Sequence, residues 1–253
     1  MSKKSQNEIL IYGLHTIKML VKIRQKDLIR LYCTQERIKD FGDLLSWCAK
    51  NGKAYHVVTT SELDKITHAT HHQGIAALVK QKPLVSLENL IYELTTLKKN
   101  QERPLIYLDG VANSHNLGAI TRSMAHFGAQ FIIGLEGELP KPSASWIRLS
   151  SGGYEFIELI YAHKKTNLFH SLKKLGYKLV GFSGSSSNSL FQAEFPAKTV
   201  FILGNEITGL SKEVKEEADS LLKIPGSGSV ESLNVSVAAG VCLGEWWRRY
   251  GSN

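Results

Sequence analysis

The chain has 253 residues, of which 43% are hydrophobic and 21% charged, with a formal net charge of +8. That balance suits a soluble globular protein with one large or two modest cores, and it excludes a disordered or fibrous chain. No apolar run approaches the roughly 20 residues that span a bilayer, and MSKKSQNEIL lacks the apolar segment of a secretion signal, so a cytoplasmic location away from membranes is expected.

The charge is unevenly placed. Residues 1 to 82 carry 14 Lys/Arg against 7 Asp/Glu, whereas the remainder is close to neutral. A basic first third beside a neutral remainder suggests an anionic partner, nucleic acid first among them, although a solvated lysine face would look the same. Cys33, Cys48 and Cys242 are odd in number, widely spaced and set in apolar patterns. They read as small buried hydrophobes of a reducing compartment, with neither disulfide nor zinc spacing.

In chain order, Leu14, Ile17, Leu20 and Val21 form a helical stripe, and LIRLYC (28 to 33) reads as a strand. Phe41, Leu44, Leu45 and Cys48 mark a helix that stops at Asn51-Gly52. AYHVV (54 to 58) is a strand, Ser61 with Asp64 signals a capped short helix, and GIAALV (74 to 79) is another strand. These make a small α/β unit. His68, His71 and His72 have no neighbouring carboxylate or thiolate to complete a metal site, so they are expected to form a polar turn and no metal is expected. Residues 83 to 103, with one amphipathic helix and the polar run KKNQER, read as a linker. From Pro104 the strands become longer and apolar on both faces: LIYLDG (105 to 110), QFIIGL (130 to 135), KLVGF (178 to 182), TVFILG (199 to 204) and LLKIP (221 to 225). Such runs suit a parallel sheet covered by helices. GSSSNS (184 to 189) reads as a mobile surface loop.

Three stretches carry candidate chemistry. In VANSHNLGAITRSMAHFGA (111 to 129), Asn116 stands at a strand-to-helix turn and Arg122 lies in the helix that follows. A helix N-terminus attracts anions, and an arginine can fork onto phosphate; a surface arginine on an amphipathic helix is the plain alternative. In ILGNEITGLSKEV (202 to 214), an apolar strand runs into Gly204, Asn205 and Glu206, where α/β sheets place ligand contacts, unless Glu206 is simply solvated. In IPGSGSVESLNVSVAAG (224 to 240), a glycine-serine loop leads into a terminal helix that Ser232 or a neighbour would cap, with Asn234 in the first turn. Ser236, Gly240 and Gly244 then form a nearly side-chain-free face. Each glycine costs a helix about 1 kcal/mol, so a close neighbour is expected there. Dinucleotide, P-loop and serine-hydrolase signatures are all missing from the sequence.

Together these stretches resemble the three motifs of the SpoU (TrmH-like) family of SPOUT methyltransferases: NLGAITRSMAHFGA, ILGNEITGLS and IPGSGSVESLNVSVAAG, in that order. The segment from IYGLHTIKML to HHQGIAALV resembles the small L30e-like RNA-binding domain that many members carry. The ending GEWWRRY, with the AYHVV and AHFG segments, looks most like a bacterial branch described only as tRNA/rRNA methyltransferases.

The resemblance implies an L30e-like domain over residues 1 to 82, a linker, and an α/β trefoil-knot catalytic domain with a parallel sheet over 104 to 253. It implies a homodimer that transfers a methyl group from S-adenosylmethionine to a ribose 2′-hydroxyl of tRNA or rRNA. Gly204, Ile224 and Leu233 match the donor-binding positions. Arg122 matches the arginine assigned to the substrate hydroxyl; because a guanidinium stays protonated, positioning ribose and phosphate is its expected work, and the proton acceptor is left unassigned. Asn116 and Glu206 would hold Arg122, and Ser232 and Asn234 would finish the substrate side. Ser150-Ser151-Gly152-Gly153 departs slightly from the family's usual Ser-x-Gly-Ala. A catalytically idle RNA-binding relative and a base methyltransferase are the other classes; the intact polar set argues against the first, and the SLN of the third motif against the second.

Overall fold

The computed structural model describes residues 7–98 and 101–251, so part of the expected linker (99–100) lies outside the described residues. By contact the chain forms two units: residues up to Pro83 together with Pro142–Glu155, and Leu84–Lys141 together with Phe156 onward.

The first unit is built on a four-stranded sheet in the order β1-β4-β2-β3. Its strands are β1 (Glu8–Tyr12), β2 (Leu28–Cys33), β3 (Ala54–Val57) and β4 (Ile75–Lys80). β4 runs antiparallel to both β1 and β2, and β2 pairs parallel with β3. The helices are α1 (Leu14–Arg24), α2 (Gly42–Lys50) and α3 (Thr60–Thr67). Alternation buries Ile11, Leu31, Cys33, Ala77 and Val79, as the two-residue period of a strand requires. β1 escapes the sequence reading because EILIY shows no clean alternation.

The cap of α3 lies two residues before the expected one. Thr59 accepts from the Glu62 N–H at 3.2 Å, and Glu62 in turn accepts from the Thr59 N–H at 2.8 Å. Asp64 is thereby free to bond His72 Nε2 at 3.0 Å, while His72 Nδ1 accepts from the Gly74 N–H at 2.9 Å. Since Nδ1 accepts, the ring proton sits on Nε2, and a neutral imidazole satisfies both partners. His72, 2% exposed, therefore anchors the turn before β4. Among the described residues no group of three His, Cys, Asp or Glu could hold a metal.

Pro142–Glu155 brings α6 (Ala144–Leu149) and a buried carboxylate into this first unit. Arg24 Nε donates to Glu155 Oε2 at 2.6 Å and its Nη2 to Oε1 at 3.1 Å, a fork-to-fork pair in which the Glu155 side chain is 1% exposed. Gly152 has φ +87°, and a Cβ there would come within 2.8 Å of Met19 Cβ, so glycine is required where the segment crosses α1.

The second unit holds six parallel strands in the order β10-β8-β9-β5-β6-β7. They are β5 (Leu105–Asp109), β6 (Phe131–Leu135), β7 (Glu158–Ala162), β8 (Lys178–Phe182), β9 (Thr199–Gly204) and β10 (Ser220–Leu222). β5 is buried throughout, as a parallel strand covered on both faces must be. α4 (Leu87–Thr96) falls within the expected linker, yet Leu90 and Leu94 are buried in the main cluster with Tyr107, Phe131 and Val200. α7 (Lys165–Lys174) and α8 (Lys212–Glu217) contribute Leu168, Leu172 and Val214 to the same cluster. α5 (Ser114–His126) and α9 (Val235–Tyr250) pack on each other, and α9 lies against β9. The 184–189 loop is pinned, since Lys223 N–H donates to Asn188 O at 2.8 Å and Ser186 Oγ to Leu221 O at 2.6 Å. No helix of the described residues is long and apolar enough to cross a membrane.

Candidate active site

β10 stops at Leu222, short of the expected strand end, so Ile224 falls in the loop beyond it. Likewise β9 ends at Gly204, releasing residues 205–211 across the mouth of the sheet. These two loops and the start of α9 enclose a cavity of about 640 Å³, lined among others by Phe182, Leu203, Gly204, Glu206, Leu222, Ile224, Ser232 and Leu233. All three donor-site expectations, Gly204, Ile224 and Leu233, line it, as do Glu206 and Ser232. Its size is that of a pocket for a drug-sized ligand.

Gly204 is sterically fixed. A Cβ there would lie 2.5 Å from Gly209 C and 2.6 Å from Leu210 N, inside any permitted contact with backbone that cannot swing away. Asn205 closes the turn that brings Gly209 so near. Its N–H donates to Gly209 O at 3.1 Å, its Oδ1 accepts from Ile207 N–H at 2.8 Å, and its Nδ2 donates to Gly110 O at 2.9 Å. The loop after β9 is thus tied to the exit of β5.

A second tie comes from a buried ion pair. Lys165 Nζ donates to Asp109 Oδ1 at 2.8 Å, and Asp109 Oδ2 accepts from Ser211 N–H at 2.7 Å. Lys165 and Asp109 are 6% and 4% exposed, and Lys165 also reaches Ser211 Oγ at 3.3 Å. Burial opposes the Lys165 charge, but the Asp109 carboxylate more than offsets this and raises its pKa. The sequence analysis does not single out Asp109 or Lys165, and it names Asn205 only as part of the strand end. The signal for Asp109 was an acid closing an otherwise apolar strand; Lys165 gave none.

α9 begins one residue after Asn234, so the capping role expected of Ser232 or a neighbour falls to Asn234, and Ser232 lies outside the helix. Asn234 Oδ1 accepts from the Ser236 N–H at 2.9 Å, as a capping side chain does. Its Nδ2 donates to Asn116 Oδ1 at 3.0 Å and to Glu206 Oε1. Asn116, Asn234 and Glu206 therefore meet, and Glu206 links them to the cavity. Arg122 stands apart: it is exposed on α5 and makes no hydrogen bond or ion pair with any described residue. The carboxylate expected to hold Arg122 holds Asn234 instead.

α5 and α9 run side by side in the same direction. Asn116 meets Asn234, a Cβ on Gly240 would lie 3.7 Å from Ser123 Oγ, and one on Gly244 would lie 3.5 Å from Phe127 Cζ. Those are ordinary contact distances, so the small-residue face admits α5 without demanding glycine.

The SpoU rRNA Methylase family model matches residues 103–244, and a model described as RNA 2′-O ribose methyltransferase substrate binding matches residues 10–85. The chain belongs to the SpoU methylase family. The Escherichia coli O157:H7 protein described as an uncharacterized tRNA/rRNA methyltransferase, YfiF, is 33% identical over 98% of this chain and 70% of its own length. The Pasteurella multocida 23S rRNA (guanosine-2′-O-)-methyltransferase RlmB is 34% identical over 93% of this chain and 96% of its own. Among solved structures, the SpoU methyltransferase AviRb from Streptomyces viridochromogenes, in complex with AdoMet, superposes with a TM-score of 0.77 at 21% identity, covering 96% of this chain and 90% of that one.

As a SpoU methylase the chain is an S-adenosylmethionine-dependent RNA 2′-O-methyltransferase. The cavity fits that donor. Phe182, Leu203, Leu222 and Ile224 offer apolar walls for an aromatic base, while Ser183, Asn205 and Thr208 offer hydrogen-bonding groups for the polar remainder.

Proposed function

We propose that this SpoU methylase modifies a ribose 2′-oxygen of structured rRNA or tRNA in the cytoplasm, as a homodimer. Residues 1 to 82 would dock the RNA, 83 to 103 would link, and 104 to 253 would form a trefoil-knotted catalytic domain. The observation that carries the reading is the Asn234 bridge, which joins the Glu206 rim of the cavity to Asn116 at the start of α5.

When bound, S-adenosylmethionine supplies an electrophilic methyl group and leaves as a neutral thioether. Gly204, Ile224 and Leu233 would hold it, with the Asn205 turn and the Asp109–Lys165 pair keeping the 205–211 loop in place. A 2′-hydroxyl is a weak nucleophile, so orientation is the main service required. Arg122, exposed and unpaired among the described residues, can donate only, and would fork onto the phosphate and ribose of the target nucleotide. Asn116, Glu206, Ser232 and Asn234 would form a polar wall at the rim of the cavity.

The homodimer reading rests on α9. Leu243 and Trp246 are buried within the chain, Trp246 donating to Ala197 O at 2.9 Å. Val237 and Trp247, on successive parts of α9, remain 50% and 38% exposed and would be covered by a second copy. Sedimentation at micromolar concentration giving only a 28.1 kDa species would remove this part.

The activity is tested by transfer of labelled methyl from S-adenosylmethionine to ribosomal and transfer RNA, followed by digestion to nucleosides. Label in 2′-O-methylnucleosides is expected. Label in base-methylated nucleosides would overturn the ribose assignment, and no transfer despite donor binding would favour an idle RNA-binding relative.

A further inference from the structure

The first unit carries an aromatic pair that the cavity does not use. Tyr32 on β2 and His56 on β3 face each other in parallel register, with ring centroids 5.5 Å apart and planes inclined by 21°. On the same face of β2, Arg30 directs Nη1 toward the Tyr32 hydroxyl at 3.4 Å. Lys80, two positions beyond the Leu78 partner of Arg30, shares this face but stands directly opposite Glu8 of β1, which leaves Arg30 as the cation beside the rings.

The stack is anchored at one end and open at the other. Tyr32 packs against the Tyr12, Leu63 and Ala76 cluster, so its ring is seated on the core. β3 is the edge of the sheet and all four of its residues are exposed. The ring face of His56 turned away from Tyr32 therefore has no further strand beside it. Nothing in the fold requires an ordered imidazole there, since His56 makes no hydrogen bond among the described residues.

Unpaired RNA bases present open π-faces and stack on Tyr and His, whereas bases inside a duplex already stack on each other. A preformed ring pair spares the ordering cost of assembling such a surface. The surrounding segment, with 14 Lys/Arg against 7 Asp/Glu over residues 1 to 82, supplies attraction for the phosphates. We propose that Tyr32, His56 and Arg30 form a stacking platform for an unpaired nucleotide, through which the enzyme selects a loop or bulge over continuous duplex. This rests on the reading that the chain acts on RNA. The competing occupant of an open edge is a strand from another protein chain; Arg30 beside the rings and the basic segment around them favour RNA.

The test uses full-length protein and two fluorescent probes in anisotropy titrations: a hairpin RNA with an unpaired loop and a blunt, fully paired duplex with the same stem. Wild type should prefer the hairpin. His56→Ala and Tyr32→Leu should each weaken hairpin binding about fivefold or more while leaving duplex binding unchanged; Tyr32→Phe, which keeps the ring, should bind as wild type. His56 is exposed, so an unchanged Tm and unchanged donor binding for His56→Ala set misfolding aside. Equal hairpin affinity for wild type and His56→Ala overturns the platform. Equal losses on both probes overturn it too, as does a loss of self-association in place of RNA affinity. Wild-type protein that neither binds RNA nor transfers methyl removes the underlying RNA reading instead.

Discussion

Asn234 Nδ2 lies 3.0 Å from Asn116 Oδ1, so the cap of the last helix is bonded to the first turn of the helix beside it. One side chain thus does three things: it caps α9, fastens α5, and holds the Glu206 carboxylate. These contributions are separable. Asn234→Ser keeps a good capping oxygen but cannot reach Asn116 or Glu206, so it should retain most of the stability while transfer falls about tenfold or more, roughly the value of one or two lost hydrogen bonds. Asn234→Ala should lose the same activity and a further ~1 kcal/mol of stability. Thermal unfolding beside methyl-transfer rates checks both; equal activity of the serine variant and wild type would detach Asn234 from catalysis.

Arg122→Ala should abolish transfer with little change in Tm or donor affinity. The side chain is exposed and unpaired among the described residues, so its removal breaks no contact the fold depends on. Calorimetric titration with S-adenosylhomocysteine and a single-turnover assay separate the two quantities.

Gly204 and Gly240 should respond oppositely to alanine. At Gly204 the new Cβ meets Gly209 and Leu210 backbone at 2.5–2.6 Å, so β9 or its loop must move and donor binding should be lost. At Gly240 the nearest neighbour is Ser123 Oγ at 3.7 Å. Gly240→Ala should therefore fold normally and gain up to about 1 kcal/mol from helix propensity. A Gly204→Ala protein with wild-type donor affinity would contradict the assigned cavity.

Removing Arg24 should be among the most damaging changes in the first unit. Arg24→Met would leave the Glu155 carboxylate, 1% exposed, without its partner, at a cost of about 3–5 kcal/mol. The same pair bears on truncation: a protein starting near Pro83 would keep Trp146, Ile147, Tyr154 and Glu155, all buried in the full chain, and lose α1, against which their segment packs. Dye binding to exposed apolar surface and a broadened thermal transition are expected of it. A sharp transition at the wild-type Tm would show the segment to be self-sufficient.

Glu245 gives a pH signature. Hydrogen bonds from Arg248 and Arg249 outweigh desolvation and lower its carboxyl from 4.5 to about 2. A carboxylate lowered on folding stabilises the fold above its unfolded pKa and loses that contribution as the pH falls through its folded pKa. The Tm difference between wild type and Glu245→Gln should thus be full near neutral pH, shrink below about 4.5, and vanish near 2. A difference independent of pH would assign the effect to packing.

The sequence was most informative where the pattern was dense. Strands such as LIYLDG and TVFILG are apolar throughout, and a parallel sheet covered on both faces leaves them little else to be. The second and third motifs located much of the cavity lining because glycines and small hydroxyls are clustered there, whereas the first motif contributes none of it. Less legible was anything fixed by tertiary competition. Ser61 with Asp64 and Thr59 with Glu62 are equivalent as capping signals, and the choice falls to Thr59 because His72 engages Asp64. The helix at 87–96 looks like a spacer in one dimension, yet Leu90 and Leu94 find a core assembled from strands that follow it. The family resemblance pairs Glu206 with Arg122; in the structure the Asn234 amide satisfies it.

The discontinuity of the first unit sets an order of events during synthesis. Its sheet is encoded by residue 80, but Trp146, Ile147 and the Glu155 carboxylate arrive only after β5, α5 and β6 have been made. On the ribosome, the Arg24 guanidinium and the apolar face awaiting α6 must stay uncovered while part of a second sheet emerges. Contacts spanning 131 residues, such as Arg24 to Glu155, close late and raise the entropic cost of the transition state. Refolding should accordingly show a slow phase that reports on both units at once, with exposed intermediates that benefit from chaperone capture.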